Sequence, residues 1–157
     1  MANIVLDKRT RTPGGRFPFI IFPDQVFTEV SHDGKYSDVF DLGPDWEFLQ
    51  ITLEHTATSV TDVGDTLDAS VEFSTDGTNW FVVGMFTQQA GTDVAKIESL
   101  TFKPGLQLNP DGIFTMLGVS ATVVDEKTFG RYMRIALAIA DNDTNGKHYM
   151  RVDALIR

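Results

Sequence analysis

The stretch TLDASVEFSTDGTNWFVV, residues 66–83, carries the reading on which the fold depends. Leu67, Ala69, Val71 and Phe73 alternate strictly with Asp68, Ser70, Glu72 and Ser74. A period of two places one set of side chains on an apolar face and the other toward water, the pattern of a half-buried β-strand. Asp76-Gly77 then supplies a turn dipeptide before the second apolar run begins at Trp80. The whole stretch predicts an antiparallel hairpin with Trp80 packed on a core.

Working outward, the same punctuation recurs. Candidate strands are Val26–Val30, Tyr36–Leu42, Trp46–Thr56, Thr66–Ser74, Asn79–Thr87, Ala95–Phe102, Ile113–Ser120, Phe129–Ala140 and Lys147–Ile156. Turn-forming clusters separate them, among them His32-Asp33-Gly34, Asp76-Gly77, Pro104-Gly105 and Asn145-Gly146. Short strands at this spacing predict an all-β fold, an antiparallel β-sandwich or jelly roll. Met133, Ile135, Leu137 and Ile139 form one face of their strand, and Met150, Val152, Ala154 and Ile156 form the inward face of the last. The two segments are expected to pair as a hairpin around Asp141–Gly146.

The 157 residues suit one domain, large enough to bury a core without a metal or a disulfide. The absence of cysteine excludes disulfides, thiolate metal sites and a cysteine nucleophile. No apolar run is long enough for a membrane helix, and the N-terminus has neither the order nor the length of a signal peptide. Neither a membrane nor a secretory leader is expected.

Charge divides the chain. Lys8, Arg9, Arg11 and Arg16 face only Asp7 in residues 1–22, a net of +3, whereas residues 23–126 hold 18 carboxylates against Lys35, Lys96 and Lys103, a net of −15. Such an acidic body argues against nucleic acid as a partner, because phosphate binding requires clustered cations. The segment RTRTPGGRFPFIIFPD combines the basic run with a Pro-Gly-Gly breaker and prolines flanking Phe19–Phe22. It is expected to be an extended arm over residues 1–24, preceding a sandwich domain over residues 25–157. In that arm Arg9, Arg11 and Arg16 are the candidate polar contacts and Phe17, Phe19, Ile20 and Phe22 the candidate apolar anchors for a partner. An edge strand of the same domain is the competing reading of the segment.

Residues with chemical potential do not assemble into a motif. Asp141-Asn142-Asp143-Thr144-Asn145-Gly146 matches the opening of a calcium loop, but Val152 stands where that loop needs its bidentate glutamate. Asp62, Asp65 and Asp68 read as solvated acids, and His32, His55 and His148 are scattered without metal-ligand spacing. No catalytic residue, metal site or cofactor is assigned, and enzyme activity is not expected.

Two resemblances follow from these residues. SVEFSTDGTNWFVV at Ser70–Val83, with RYMRI at Arg131–Ile135 and MRVDALI at Met150–Ile156, resembles the sandwich of discoidin-like, galactose-binding-like modules. That likeness implies a hairpin whose Trp packs on the core, although the terminal cysteines of many such modules are missing. In overall character, as a short, cysteine-free, acidic β chain with a proline-interrupted basic arm, the sequence resembles virion proteins of tailed bacteriophages, especially capsid decoration or cement proteins. This second likeness implies localisation in the virion, a homo-oligomer such as a jelly-roll trimer, and the major capsid protein or another virion protein as partner. The function expected is stabilisation of the shell by bridging neighbouring subunits. A carbohydrate-binding module, using the loops Asp76–Trp80 and Asp141–Asn145, or another virion component of the neck, tail or head fibre, is the alternative.

Overall fold

The computed structural model describes residues 3–5, 17–28, 32–43, 46–58, 64–90, 95–103, 113–116, 119–122, 130–140 and 147–157. Within them, two sheets pack face to face as a β-sandwich. Sheet A contains β1 (Asn3–Val5), β3 (Val39–Asp41), β11 (Tyr132–Ala140), β5 (Thr66–Ser74) and β6 (Phe81–Met85) in that spatial order, with β7 (Gln89–Ala90) also paired to β5. Sheet B is ordered β2 (Phe17–Phe27), β12 (His148–Ile156), β4 (Leu49–Thr58) and β8 (Lys96–Phe102). A separate hairpin joins β9 (Ile113–Met116) to β10 (Val119–Thr122). Among the described residues pairing is antiparallel, apart from the parallel β1–β3 ladder. Successive long strands largely alternate between the two sheets of the sandwich.

The alternation read from the sequence sets the core. Leu67, Ala69, Val71 and Phe73 on β5 are buried, as are Met133, Ile135, Leu137 and Ile139 on β11. From sheet B, Leu49, Ile51 and Leu53 of β4 and Met150, Val152, Ala154 and Ile156 of β12 meet them. Aromatic rings knit the layers, with Trp46 stacked on Phe73 at 5.6 Å and Phe73 meeting Phe102 edge-on at 5.5 Å. Such contacts add to the stabilisation that burial supplies.

Three expectations are corrected. First, β11 and β12 do not form a hairpin. β11 pairs with β5 and β3, whereas β12 pairs with β2 and β4 in the other sheet. Alternation fixes which face of a strand is buried but not which sheet holds it, and both strands lie between neighbours on each side. Second, the single strand expected over Ile113–Ser120 is divided into β9 and β10, whose register brings Met116 opposite Val119. Strand-forming residues on both sides of Leu117-Gly118 conceal the reversal.

Third, the boundary between arm and sandwich does not fall at residue 24. Phe17–Phe27 is one continuous strand of sheet B, paired with β12 from Phe17↔Ile156 to Phe27↔His148. Pro18 and Pro23 are compatible with this position because β2 lies at the sheet edge, where one side of the backbone needs no ladder partner. Two register shifts against β12, between Met150 and Val152 and between Val152 and Asp153, each leave an extra residue on β2, as bulges on an edge strand do. The competing reading of these residues as an edge strand therefore describes residues 17–27.

Gly130 shows how closely β11 enters beside β5. A Cβ there would overlap the backbone of Ser74, so only glycine permits the approach that starts the nine-pair ladder between the two strands.

The position of β2 separates two truncations. Removing residues 1–16 spares the strand and is expected to leave a cooperatively folding sandwich. Removing residues 1–22 deletes more than half of β2, takes Phe19, Ile21 and Phe22 from the core and leaves one edge of β12 largely unpaired, so the chain should lose its cooperative thermal transition in calorimetry.

Candidate functional site

The outward faces of the two sheets differ in how fully their side chains are engaged. On sheet A, Arg134 of β11 and Glu72 of β5 are register partners. The Arg134 Nε donates to Glu72 Oε2 at 2.6 Å. The guanidinium carbon lies 3.7 Å from the ring centre of Tyr36 and 4.2 Å from that of Trp80. This combines an ion pair with two cation–π contacts on a half-buried face.

Trp80 is consequently half-buried on the outer side of the sheet rather than part of the core cluster. The β5–β6 hairpin forms as expected, but Val82 is the partner of Glu72, and Trp80, two residues earlier, shares that outward face. The core indole is Trp46 instead.

The turn following β5 satisfies its own polar groups. Asp76 Oδ1 accepts from the backbone N–H of Thr78 and of Asn79, each at 2.8 Å, and Oδ2 accepts from Asn79 Nδ2 at 2.7 Å. Ser74 Oγ donates to Asp76 Oδ1 and accepts from the Gly77 N–H, both at 2.9 Å. Gly77 takes φ +73°, the left-handed conformation for which glycine is suited. These bonds, led by the Asn79 N–H, hold the Asp76 carboxyl well below the usual carboxylate range.

A second pair lies along the β3–β11 border. Arg131 donates from Nε to Asp41 Oδ1 at 2.8 Å and from Nη2 to Oδ2 at 2.6 Å, while the Gly43 N–H donates to Oδ1 at 2.9 Å. Hydrogen bonding from Arg131 is the leading reason that the Asp41 carboxyl titrates below its ordinary value, desolvation opposing it and Gly43 assisting.

Sheet B leaves apolar surface outward. Among the described residues the exposed large hydrophobic side chains are Ile20, Val26, Tyr36 and Ile97, and all but Tyr36 belong to this sheet. Ile20 and Val26 lie on β2, opposite Asp153 and Tyr149 of β12, while Ile97 on β8 is opposite Glu54 of β4. Ile20 is 51% exposed and Ile97 69%. Half-buried Leu155 and Tyr149 lie between the two edges. Two polar pairs lie among them, Arg151 with Asp153 at 2.7 and 3.0 Å and Thr52 with Ser99 at 2.8 Å. Near Ile97 an open hollow of about 430 Å³ is lined by Glu54, His55, Ala95, Lys96 and Ile97.

The anchors expected in the arm divide between the two faces of β2. Phe19 and Phe22 pack against the core, Phe19 lying 5.0 Å from the ring of Phe40 and Phe22 5.3 Å from that of Phe27. Ile20 points outward. Phe17 begins the strand, and Arg9, Arg11 and Arg16 lie outside the described residues, as do Asp62 and the loop Asp141–Gly146.

The remaining acids and histidines also find places. Asp65 is fully buried rather than solvated, because it leads directly into β5, and Asp68 accepts from Gln88 Nε2 at 2.9 Å. His32 Nδ1 accepts from the Thr28 N–H at 3.3 Å. His55 and His148, distant in sequence, are both buried with ring centres 5.7 Å apart. Among the described residues no group of three or more acids and histidines is arranged to hold a metal ion, and no helix is long and apolar enough to cross a membrane.

No family model, no curated protein and no solved structure matches the chain.

Two outcomes test this description. Asp41 has a depressed pKa in the folded chain, so its stabilisation is complete above its unfolded value of about 3.9 and is lost as pH falls through the folded value. Denaturant titrations toward acid pH should therefore show a falling stability limb that Asp41→Asn makes shallower. In a Trp46→Phe background, Arg134→Ala should raise acrylamide quenching of Trp80 by uncovering its ring; unchanged quenching would contradict the packing of Arg134 on the indole.

Proposed function

We propose that the chain is a structural virion protein of a tailed bacteriophage, of the capsid decoration or cement type, which stabilises the shell by bridging neighbouring subunits. The carrying observation is the outward apolar surface of sheet B, with Ile20 and Val26 on the same edge strand that the basic segment precedes. Outward apolar residues favour burial against another protein, and Ile20 and Ile97 lie toward the two edges of the sheet, on either side of the Arg151–Asp153 pair. The basic segment complements an acidic neighbour, and the partner is the major capsid protein or another virion protein. The chain acts as a homo-oligomer, a trimer in the decoration-protein pattern. Binding that is confined to the assembled lattice stabilises that state by mass action, and repeated contacts from an oligomer add avidity.

The same surface suits a subunit of the neck, tail or head fibre. A carbohydrate-binding role has weaker support, because Arg134 covers Trp80 and the oxygens of Asp76 are engaged within their own turn.

Ile20→Asp combined with Ile97→Asp tests the reading. Both side chains are largely exposed, so the variant should melt close to the parent temperature. Burying an isoleucine stabilises by about 1.5–3 kcal/mol, so affinity for purified shells lacking the protein should fall tenfold or more in sedimentation binding. A folded variant that binds shells as tightly as the parent would refute the proposed surface.

A further inference from the structure

We propose that the buried pair His55 and His148 is a proton-operated latch: acidification releases the His148 end of β12 from β4 and β2 while the remainder of the sandwich stays folded. The inference stands apart from the decoration reading and does not rest on it.

All three histidines of the chain gather at one end of sheet B. His55 takes the inward position that follows Ile51 and Leu53 on β4, and His148 the inward position that precedes Met150 on β12. Both are fully buried, with ring centres 5.7 Å apart. His32 meets the ring of Phe27 at 4.8 Å, and Phe27 is the β2 partner of His148. Widely spaced in the sequence, the three converge because the ends of β2, β4 and β12 lie side by side.

The surroundings favour neutral rings. Two imidazolium ions at this separation repel each other, and burial removes the water that would solvate them. Lys96 of β8 is the register partner of His55 and adds a third cation. β2 presents Phe27 to His148, and β12 presents Met150 to His55. In the facing sheet, Ile139 and Leu67 end the inward rows of β11 and β5, and Asp65 is buried immediately before Thr66, the partner of Ala140. Exposed Asp33 accepts from the Ile139 N–H at 2.9 Å, and Glu54 belongs to the outward row of β4. Among the described residues, two protons on the pair therefore set three cations against one buried acid at this end.

Register irregularities mark the part that opens. The β12–β4 ladder runs unbroken from Met150↔His55 to Ile156↔Leu49, and a shift separates it from Tyr149↔Ala57 and His148↔Thr58. On the other edge of β12, His148↔Phe27, Tyr149↔Val26 and Met150↔Gln25 are divided from the remaining pairs by the shift between Met150 and Val152. Short ladders on both sides thus hold the start of β12, and they detach at the bulges without unzipping the core. His55 borders the open hollow shared with Lys96 and Ile97, which gives water a route to the pair. The released segment carries Val26, so acid reshapes one corner of the outward surface of sheet B.

The sign follows from proton linkage. The closed pair binds fewer protons than the open one, so opening grows as pH falls below the unfolded histidine value of about 6.5. Between about pH 7.5 and about pH 5.5, each proton excluded from the closed pair raises the opening equilibrium about tenfold. This window lies well above the one in which Asp41 acts.

Amide hydrogen exchange, corrected for intrinsic rates, reads the opening. Over that interval the protection of the His148–Met150 and Ala57–Thr58 amides should fall about tenfold for one excluded proton and about a hundredfold for two, while Ile51, Leu53 and Val152–Ile156 keep theirs. His148→Leu should leave at most the tenfold response, and His55→Leu combined with His148→Leu should abolish it. Imidazole proton resonances of the unaltered chain give a reading that does not depend on the folding of either variant. At least one of His55 and His148 should stay neutral well below about pH 6.5. Both rings charged at or above that value would overturn the latch, as would loss of protection spread evenly along β12 or an undiminished response in the folded double variant.

Discussion

Every long strand of this protein must place alternate side chains into one core shared by two sheets, and β12 meets that requirement under the tightest constraint. Its inward residues Met150, Val152, Ala154 and Ile156 are buried, while hydrogen-bonded neighbours occupy both of its edges. β11 occupies the corresponding central position in sheet A. The connection between them therefore passes from one layer to the other, and pairing the two strands directly would leave β5 and β4 without their central partners. A one-residue slip in either ladder would send a buried apolar set toward water. The remaining strands follow from satisfying those four edges.

The faces of β5, β11 and β12 were legible because alternation is a local property. Leu67 through Phe73, Met133 through Ile139 and Met150 through Ile156 occupy the predicted inward positions. What local periodicity does not encode is the choice of neighbour. It led to the expected β11–β12 hairpin, although their partners come from distant parts of the chain. It also made Trp80 resemble a core residue. The irregular register between Val71 and Glu72 and the placement of Val82 opposite Glu72 put the indole on the outer face, where Arg134 covers it. Such a cation–π contact depends on a residue more than fifty positions away and has no signature in the hairpin itself.

The candidate surface was legible only in part. Aromatic and branched residues from Phe17 to Phe22 identify an apolar segment, but their separation into core residues and outward residues depends on pairing with β12. Phe19 is opposite Ala154 and turns toward the core, while Ile20 is opposite Asp153 and is exposed. Ile97 reaches the same sheet face from a distant segment through β4. Its neighbourhood with β2 arises from the order β2-β12-β4-β8 rather than from sequence proximity.

Polar pairing distinguishes the two outer faces and underlies the choice of sheet B for the proposed contact. On sheet A, Asp41 with Arg131 and Glu72 with Arg134 already have geometrically matched ions, and bringing another surface over them requires desolvation of both members. Partial exposure of Arg131 also limits what its pair can contribute to stability. Among the described residues sheet B combines the Arg151–Asp153 pair with outward isoleucines toward both edges. Association there can gain apolar burial at the edges while the central ion pair remains hydrated, an arrangement suited to two strips of protein contact. It also gives the edge strand β2 two distinct tasks. Phe19, Ile21 and Phe22 hold it to the sandwich, and that attachment fixes the outward position of Ile20, the residue on which the proposed contact rests.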